Sequence, residues 1–485
     1  SPGKTRGLEA VGGNDAAAES AIDVSPSDEL AAGEDQLAAR MDLDTAHKSS
    51  QGLPVRIAAP EGPGGLSATP ALDVGLPSRR ARAESEVVHS GVGRMILERS
   101  GGKLADVRVQ DTSVPGFRQR DREMRRELAN QRGGSEASER AVEAGLDFLA
   151  RHQNPDGSWS LHDFRQGRPG YENAGAGQMR SDTAATGLSL LAFLGAGYTH
   201  TDGKYRPVVA RGLAYLVGNQ VNDGDLFVPQ DEKSNINVWL YSHGIASIAL
   251  CEAYGMTRDA TLREPAQRAL SFIVAAQHPT EGGWRYAPRQ GSDTSVSGWQ
   301  LMALKSGELA GLQVPLECYQ RVTAWLDGAQ AQANSAVYVY RPKAKQPHQR
   351  APSRVMTAEA LLMRQYLGWR RDNPYMQAGA DYLRANLPGW DTTVGQERDS
   401  YYWYYATQVM FQVGGSHWEE WNGRLRALLV DNQEHEGPLG GSWEPLGATP
   451  DRWGREGGRI YVTAMHLLML EVYYRHLPLY QNLEE

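Results

Sequence analysis

The chain has very little cysteine and no long apolar run. Only Cys251 and Cys318 occur among its 485 residues. Two cysteines this far apart exclude a disulfide framework and any cysteine-rich zinc site, which both need more thiols. No apolar stretch approaches the roughly 20 residues that a membrane-spanning helix requires. The sequence therefore predicts a domain held together by an ordinary hydrophobic core.

Positive charge is not in excess either. Asp and Glu number 58 against 50 Lys and Arg, which gives a net charge of −8. Because nucleic-acid-binding proteins present a basic face to the phosphate backbone, we expect no nucleic-acid partner. The chain begins at Ser1 rather than Met. We expect either an extracytoplasmic protein tethered to a membrane through a segment outside this sequence, or a cytoplasmic one.

Tryptophan and tyrosine are missing from residues 1–133. All 12 Trp and all 21 Tyr lie beyond this segment, which is rich in Ala, Gly, Glu, Ser and Pro. Such a composition buries too little apolar surface to offset the entropy lost on ordering. We expect residues 1–133 to be a disordered linker or tail, with a short solvated helix over 118–132, where charges alternate in sign. Residues 134–485 are expected to fold.

The folded part repeats a unit of two helices. The first segment of each unit is an amphipathic helix followed by a turn with Gln, Gly and Trp, and the second is a more uniformly apolar helix. Copies of the first segment are Ala141–Trp159, Val209–Phe227, Ala266–Trp284, Gln320–Gln330, Ala378–Trp390 and Leu425–Trp443. Copies of the second begin at Ser181, Tyr241, Ser292, Met356, Tyr401 and Tyr461.

This spacing predicts an all-α fold built from about six helix pairs. An open array of pairs would need polar capping units at its two ends, and the sequence offers none. We therefore expect the pairs to close into an α/α toroid, with amphipathic helices outside and apolar helices inside.

The turns between the two helices of a unit also resemble a known sequence motif. In the first unit, Phe148, Leu149, Gln153, Gly157 and Trp159 resemble the QW motif of squalene-hopene cyclases. The domain is similar to the terpenoid-cyclase and prenyltransferase superfamily, and more narrowly to bacterial squalene-cyclase-like repeat proteins. The resemblance implies a toroid in which the Gln amide ties helix ends and Trp fills the turn. It implies a fold rather than an activity.

The catalytic motifs of that superfamily are mostly absent. Class II cyclases protonate an alkene with the middle acid of an Asp-x-Asp-Asp motif, but the matching position here is Ser292. Serine cannot protonate carbon, which leaves Asp293 as the acid of a divergent cyclase or isomerase or, more simply, as a helix N-cap. The Asp-x-Cys zinc motif of prenyltransferases and the Gly-Cys-Gly-Glu-Gln thioester motif are missing. We expect no metal and no cofactor.

The candidate catalytic residues are Asp293, Asp182 and His243, each near the start of an inner helix. A carbohydrate-active toroid is a further alternative, because glycoside hydrolysis needs two carboxylates facing one cleft. Glu359 and Asp399 join the two aspartates as acids for that chemistry.

We expect any ligand at the toroid mouth, where the inner helices begin. The candidate ligand-binding residues are Tyr241, Trp299, Tyr401, Tyr402, Trp403, Tyr405, Arg459 and Tyr461. Aromatic rings at this place favour an apolar small molecule, with a protein partner as the alternative. An enzyme would bring polar groups with shifted pKa values into an open cavity, whereas a scaffold would have a filled or shallow centre.

Overall fold

The structure is a computed structural model that describes residues 115–164, 169, 171, 174–229, 237–391 and 397–476. Within these ranges the chain forms 14 α-helices and two short 3-10 helices, with no β-strand. None of these helices is both long and apolar enough to cross a membrane. Of the expected disordered tail, residues 1–133, the part over 1–114 lies outside the described residues.

Helices of two kinds alternate along the chain. The inner helices are α3 (Asp182–Gly195), α5 (Trp239–Thr257), α7 (Thr294–Leu309), α9 (Arg354–Tyr366), α11 (Ser400–Val413) and α13 (Gly454–Leu470). The outer helices are α2 (Glu136–Arg151), α4 (Arg206–Asn219), α6 (Ala260–Ala276), α8 (Leu316–Gly328), α10 (Pro374–Arg384) and α12 (Gly415–Asp431). Helix α1 (Arg122–Gln131) precedes this series and α14 (Val472–Arg475) follows it.

The inner helices close a ring. Each packs against the next along the chain, and α13 packs against α3. Glycines allow this close approach, since a Cβ on Gly244 of α5 would lie 2.6 Å from Gln300 on α7. Residues around the whole circumference of α5 and α7 are buried, whereas α4 buries a single stripe. The predicted all-α toroid of six helix pairs is confirmed.

Glutamines tie one helix pair to the next. The Gln153 amide donates to the carbonyl of Gly157 in its own turn (2.9 Å) and to Val208 of the next outer helix (2.8 Å). Arg211 donates back to the Gln153 side chain. The last glutamine, Gln433, donates to Ala141 of the first outer helix at 2.8 Å, so the same device joins the two ends of the ring.

The turn tryptophans complete these joints. Trp159, Trp284 and Trp443 are buried. Each indole N–H donates to a carbonyl of the preceding outer helix, at 2.7, 2.8 and 2.8 Å. The indole therefore fixes the turn against its own helix, while the glutamine reaches to the neighbouring unit.

The ordered part begins earlier than the expected boundary at residue 134. A 3-10 helix at Pro115–Arg120 and α1 pack against the end of the ring where the inner helices finish. Arg120 donates to Glu252 of α5 at 2.7 Å, and Phe117 lies against Gly255. Composition alone misses this segment, because its arginines are neutralised by acids that lie far away in sequence.

Candidate functional site

Side chains from the beginnings of several inner helices meet at the opposite end of the ring. We call Tyr241, Ser295, Trp299, Glu359 and Tyr401 the mouth. They come from α5, α7, α9 and α11. The first two turns of these helices, which all begin at this end of the ring, bring the polar atoms together.

A chain of hydrogen bonds links the mouth residues. The Tyr241 hydroxyl lies 2.6 Å from the Ser295 hydroxyl, which lies 2.8 Å from that of Tyr401. Tyr401 donates to Glu359 Oε1 at 3.2 Å and accepts from the Trp299 indole N–H at 3.1 Å. The chain therefore runs from the partly exposed Tyr241 to a buried carboxyl group.

Glu359 is the most unusual group in this chain. Its exposed fraction is 0%. Desolvation raises its pKa well above the ordinary value, and the nearby charge of Asp293 adds to the effect, against the opposing hydrogen bonds of Tyr405 and Tyr401. Its Oε2 atom makes no hydrogen bond. Burial without a cationic partner among the described residues therefore favours the protonated form of this carboxyl group.

Asp293 accepts hydrogen bonds from the backbone and from a tyrosine outside this chain. Its Oδ1 accepts from the Val296 backbone N–H at 2.7 Å, so it is the N-cap of α7. Its Oδ2 accepts from Tyr340 at 3.1 Å and lies 3.7 Å from Arg285 Nε. Burial raises the pKa of Asp293 to about 6, although Arg285 acts to lower it. Both oxygens are thus engaged in holding the structure.

Aromatic rings fill the space between α7 and α11 below the mouth. Trp299 stacks on Tyr404 with centroids 5.6 Å apart and planes 11° apart, and the edge of Tyr405 meets Trp299 at 5.8 Å. All three rings are buried. The mouth is therefore a shallow site with an aromatic floor at this level, and the open deep cavity expected of an enzyme is not formed between these two helices.

The tyrosines at the rim combine partial exposure with strong desolvation. Tyr241, Tyr401 and Tyr461 are each partly exposed. Desolvation nevertheless raises the pKa of all three well above the ordinary value for tyrosine. These three phenols therefore stay protonated at neutral pH.

Several predicted residues lie away from the mouth. His243 has an exposed fraction of 0%, and its ring lies 3.0 Å from Asp225 Oδ1 and 3.1 Å from the Ala269 carbonyl. Arg459 is buried and donates to Ala174 and to Ser442. Both residues tie neighbouring elements together, and neither meets the mouth network.

Asp182 is partly exposed on the first turn of α3. It lies 4.0 Å from His162. The N-cap of α3 is Ser181, which accepts from the Ala184 backbone. Ser181 and not Asp182 therefore caps this helix.

The side chains of the five aromatic residues at the start of α11 point in different directions. Tyr402 points outward and donates to the Asn386 carbonyl at 2.9 Å, while Trp403 stacks on His466. Tyr401 belongs to the mouth chain, and the buried Tyr405 lies beneath it and also faces Glu359. Residues that are successive in a helix point about 100° apart, so one run serves the site, the floor and the outer packing.

Some mouth residues were not singled out from the sequence. Ser295 was missed, although it lies two residues after Asp293. Glu359 was considered only among the acids of a carbohydrate site, yet it is a lone acid in the apolar run VMTAEALLM. A single carboxylate on the buried face of an inner helix is the signal that would have found it.

No group of three or more His, Cys, Asp or Glu side chains within the described ranges is arranged to hold a metal ion. Both cysteines are buried and free. Burial raises the pKa of the Cys251 thiol, so this residue has no character of a reactive thiolate.

Comparisons with known proteins give only distant similarities. No protein-family model matches the chain, and no curated protein matches its sequence. An inactive variant of the α-1,6-mannanase GH76A of Salegentibacter sp. HEL1_6, in complex with α-1,6-mannotriose, is 12% identical with a TM-score of 0.48, over 70% of this chain and 99% of that chain. The type II terpene cyclase MstE from Scytonema is 14% identical with a TM-score of 0.45, over 71% and 100%. At these scores the similarities assign neither an activity nor a ligand.

Proposed function

We propose that the toroid binds a small, largely apolar molecule at its mouth. The observation that carries this proposal is the chain of hydrogen bonds from Tyr241 through Ser295 and Tyr401 to Glu359, laid over an aromatic floor. It joins four inner helices and fixes the rings in place before any ligand arrives. Such preorganisation lowers the entropic cost of binding.

The neutral state of Glu359 supports a ligand without an acidic group. A protonated carboxyl and a set of phenols present polarity without formal charge, while Trp299 and the tyrosines supply apolar ring faces. Ligand sites commonly combine a mostly aromatic lining with a few fixed polar groups. An uncharged molecule with a hydrocarbon body matches this surface.

An acid-catalysed isomerase or cyclase is the second candidate. Glu359 supports it better than Asp293, because burial raises the pKa of Glu359 and favours its protonated form, and its Oε2 has no hydrogen-bond partner. Asp293, by contrast, uses both oxygens in capping α7 and holding Tyr340. A carbohydrate-active site has less support, since Asp293, Glu359 and Asp399 are all buried.

Equilibrium dialysis with radiolabelled geranylgeraniol tests the binding proposal. The wild-type domain should take up the probe with saturation, and Tyr401→Ala should weaken binding by ten-fold or more, since it removes a ring from the rim and breaks the chain of hydrogen bonds. Tyr375→Ala is the matched control, because Tyr375 is exposed on the outer helix α10. Non-saturable uptake, or equal binding by both variants with folding verified by circular dichroism, would refute a ligand site at the mouth.

A further inference from the structure

Three of the joints between outer helices share an arginine. In each of them an arginine of the following outer helix donates to the side-chain oxygen of the turn glutamine. The pairs are Arg211 with Gln153, Arg268 with Gln220 at 2.7 Å, and Arg321 with Gln277 at 2.7 Å. The backbone of the same arginine lies against the turn glycine. A guanidinium group is therefore the regular partner of the glutamine oxygen at these joints.

The joint that closes the ring has no such arginine. Its turn glycine, Gly441, lies against the backbone of Ala144, so an alanine stands where Arg211 stands in the first joint. Gln433 has an exposed fraction of 6% and donates twice through its amide nitrogen. Among the described residues, no donor is bonded to its Oε1 atom. A nearly buried acceptor is thus left without the guanidinium that its counterparts have.

A cavity of about 330 Å³ lies beside Ala144, between α2 and the final turn. The final turn is longer than the first one, because Gly441 follows Gln433 after eight positions, against four positions in the first turn. The additional residues form one wall of the cavity. Since a water molecule occupies about 30 Å³ of the liquid, the space admits a group much larger than water.

Two carboxylates line this cavity, Asp147 on α2 and Glu434 in the turn. Asp147 Oδ1 lies 3.6 Å from Lys204 Nζ, and Glu434 Oε1 lies 3.3 Å from Arg459 Nη1. These ion pairs use one oxygen of each carboxylate. Arg151 also lines the cavity, but it donates to a carbonyl of the final turn at 2.7 Å. The wall therefore presents acceptors to an incoming donor.

We propose that this cavity, which we call the closing socket (Ala144, Asp147, Gln433 and Glu434), binds the guanidinium group of an arginine side chain from a peptide partner. The guanidinium would donate to Gln433 Oε1, as Arg211 donates to Gln153, and its charge would lie beside the two carboxylates. A guanidinium carries five donors in a planar fork, so it can serve several acceptors at once, whereas the ammonium of lysine is a compact point charge. The closing socket lies outside the ring and is independent of the mouth.

Three capped amino acids test the inference: N-acetylarginine amide, N-acetylcitrulline amide and N-acetyllysine amide. Citrulline keeps the shape of arginine but has no charge. Titration of the ¹⁵N-labelled chain, followed by NMR, should show saturable shifts of the His435 and Gly441 amide signals with the arginine probe. The citrulline probe should bind about ten-fold more weakly, because hydrogen bonds from a charged donor are the stronger ones. The lysine probe should also bind more weakly than arginine.

Two variants locate the site. Ala144→Arg supplies a guanidinium from the chain itself, so it should lower the affinity for the arginine probe by ten-fold or more and keep or raise the melting temperature. Asp147→Asn, at an exposed position, should weaken binding of the arginine probe without unfolding the chain. Ala324→Arg adds the same charge at an exposed position of α8 and should retain the wild-type affinity.

Each contrary outcome overturns a stated part of the proposal. Equal affinity for the arginine and citrulline probes would overturn recognition of a guanidinium. Wild-type affinity in both Ala144→Arg and Asp147→Asn, with folding verified by melting temperature, would place the ligand elsewhere. The absence of saturable shifts in the wild type would refute the closing socket and leave the binding proposal for the mouth untouched.

Discussion

The Ser295 hydroxyl lies 2.8 Å from the Tyr401 hydroxyl, and this bond joins α7 to α11. The two helices are not neighbours, because α9 lies between them in the ring. The bond therefore links two inner helices that are not adjacent in the ring, and it sets the distance between their first turns at the mouth. Glu359, which comes from the intervening helix, takes the proton of Tyr401 and completes the link.

The neutral state of Glu359 predicts a particular dependence of stability on pH. Its folded pKa is raised, so the folded state binds the proton more tightly than the unfolded chain. The stability that it contributes is complete below the unfolded value of about 4.3 and is lost as pH rises toward the folded pKa. Glu359→Gln lacks this loss and should gain stability relative to the wild type between pH 5 and pH 8.

Urea unfolding at the two pH values measures this difference. Glu419→Gln is the control, since Glu419 is exposed on α12, and its difference from the wild type should stay nearly constant with pH. A stability difference for Glu359→Gln that is also constant would show that Glu359 is ionised in the folded protein.

Asp293 is predicted to act by capping. Asp293→Ala removes the acceptor of the Val296 N–H and of Tyr340 and should cost about 2 kcal/mol of unfolding free energy. Asp293→Asn keeps a capping oxygen and should recover most of that loss while retaining ligand binding. Thermal unfolding of both variants gives the comparison. An Asn variant that is fully stable but does not bind ligand would instead place the Asp293 charge in the site.

Closure of the ring depends on Gln433. Gln433→Ala removes the bonds to Ala141 and Gly441, both at 2.8 Å, and leaves buried carbonyls without partners. We expect a loss of about 2 kcal/mol in chemical denaturation. Gln332→Ala, at an exposed position, should change stability by less than about 0.5 kcal/mol. If the two substitutions change the unfolding free energy equally, the Gln433 hydrogen bonds add nothing to the packing of α12 against α2.

The segment before the ring is predicted to be part of the folded unit. Burial alone would raise the pKa of Glu252, but Arg120 and Arg475 lower it to about 2. Arg120→Ala removes one of these two partners and should destabilise the domain by about 3 kcal/mol. Arg140→Ala, which breaks an exposed ion pair with Glu136, should cost less than about 1 kcal/mol. If both variants lose less than about 1 kcal/mol of unfolding free energy, the segment before the ring is only loosely attached.

The helix pairs could be predicted from the sequence because their signals are local. Apolar periodicity and the recurrent Gln and Trp locate each helix, and every predicted copy falls on an outer or inner helix, although α12 and α13 begin at Gly415 and Gly454, before the predicted starts. Closure followed from the lack of polar capping units. Each of these inferences needs only the residues of one unit and its repetition.

The site was harder to predict because it is built from contacts between units. Ser295 and Tyr401 are 106 positions apart, and no local pattern says that they meet. The helix expected over 118–132 is present, but its packing against the ring was not predicted, since the charges of Arg120 and Arg125 are paired only by the distant Glu252 and Glu139. His243 and Arg459 resembled site residues because buried polar ties and catalytic groups use the same residue types.

Photoaffinity labelling tests the central claim, a ligand site at the mouth, most directly. A diazirine analogue of geraniol would be cross-linked to the domain and the labelled peptides identified by mass spectrometry, with excess geraniol as competitor. The structure predicts competable labels on peptides that contain Tyr241, Ser295 to Trp299 and Tyr401. Labels confined to the outer helices, or labels that geraniol does not displace, would contradict a ligand site at the toroid mouth.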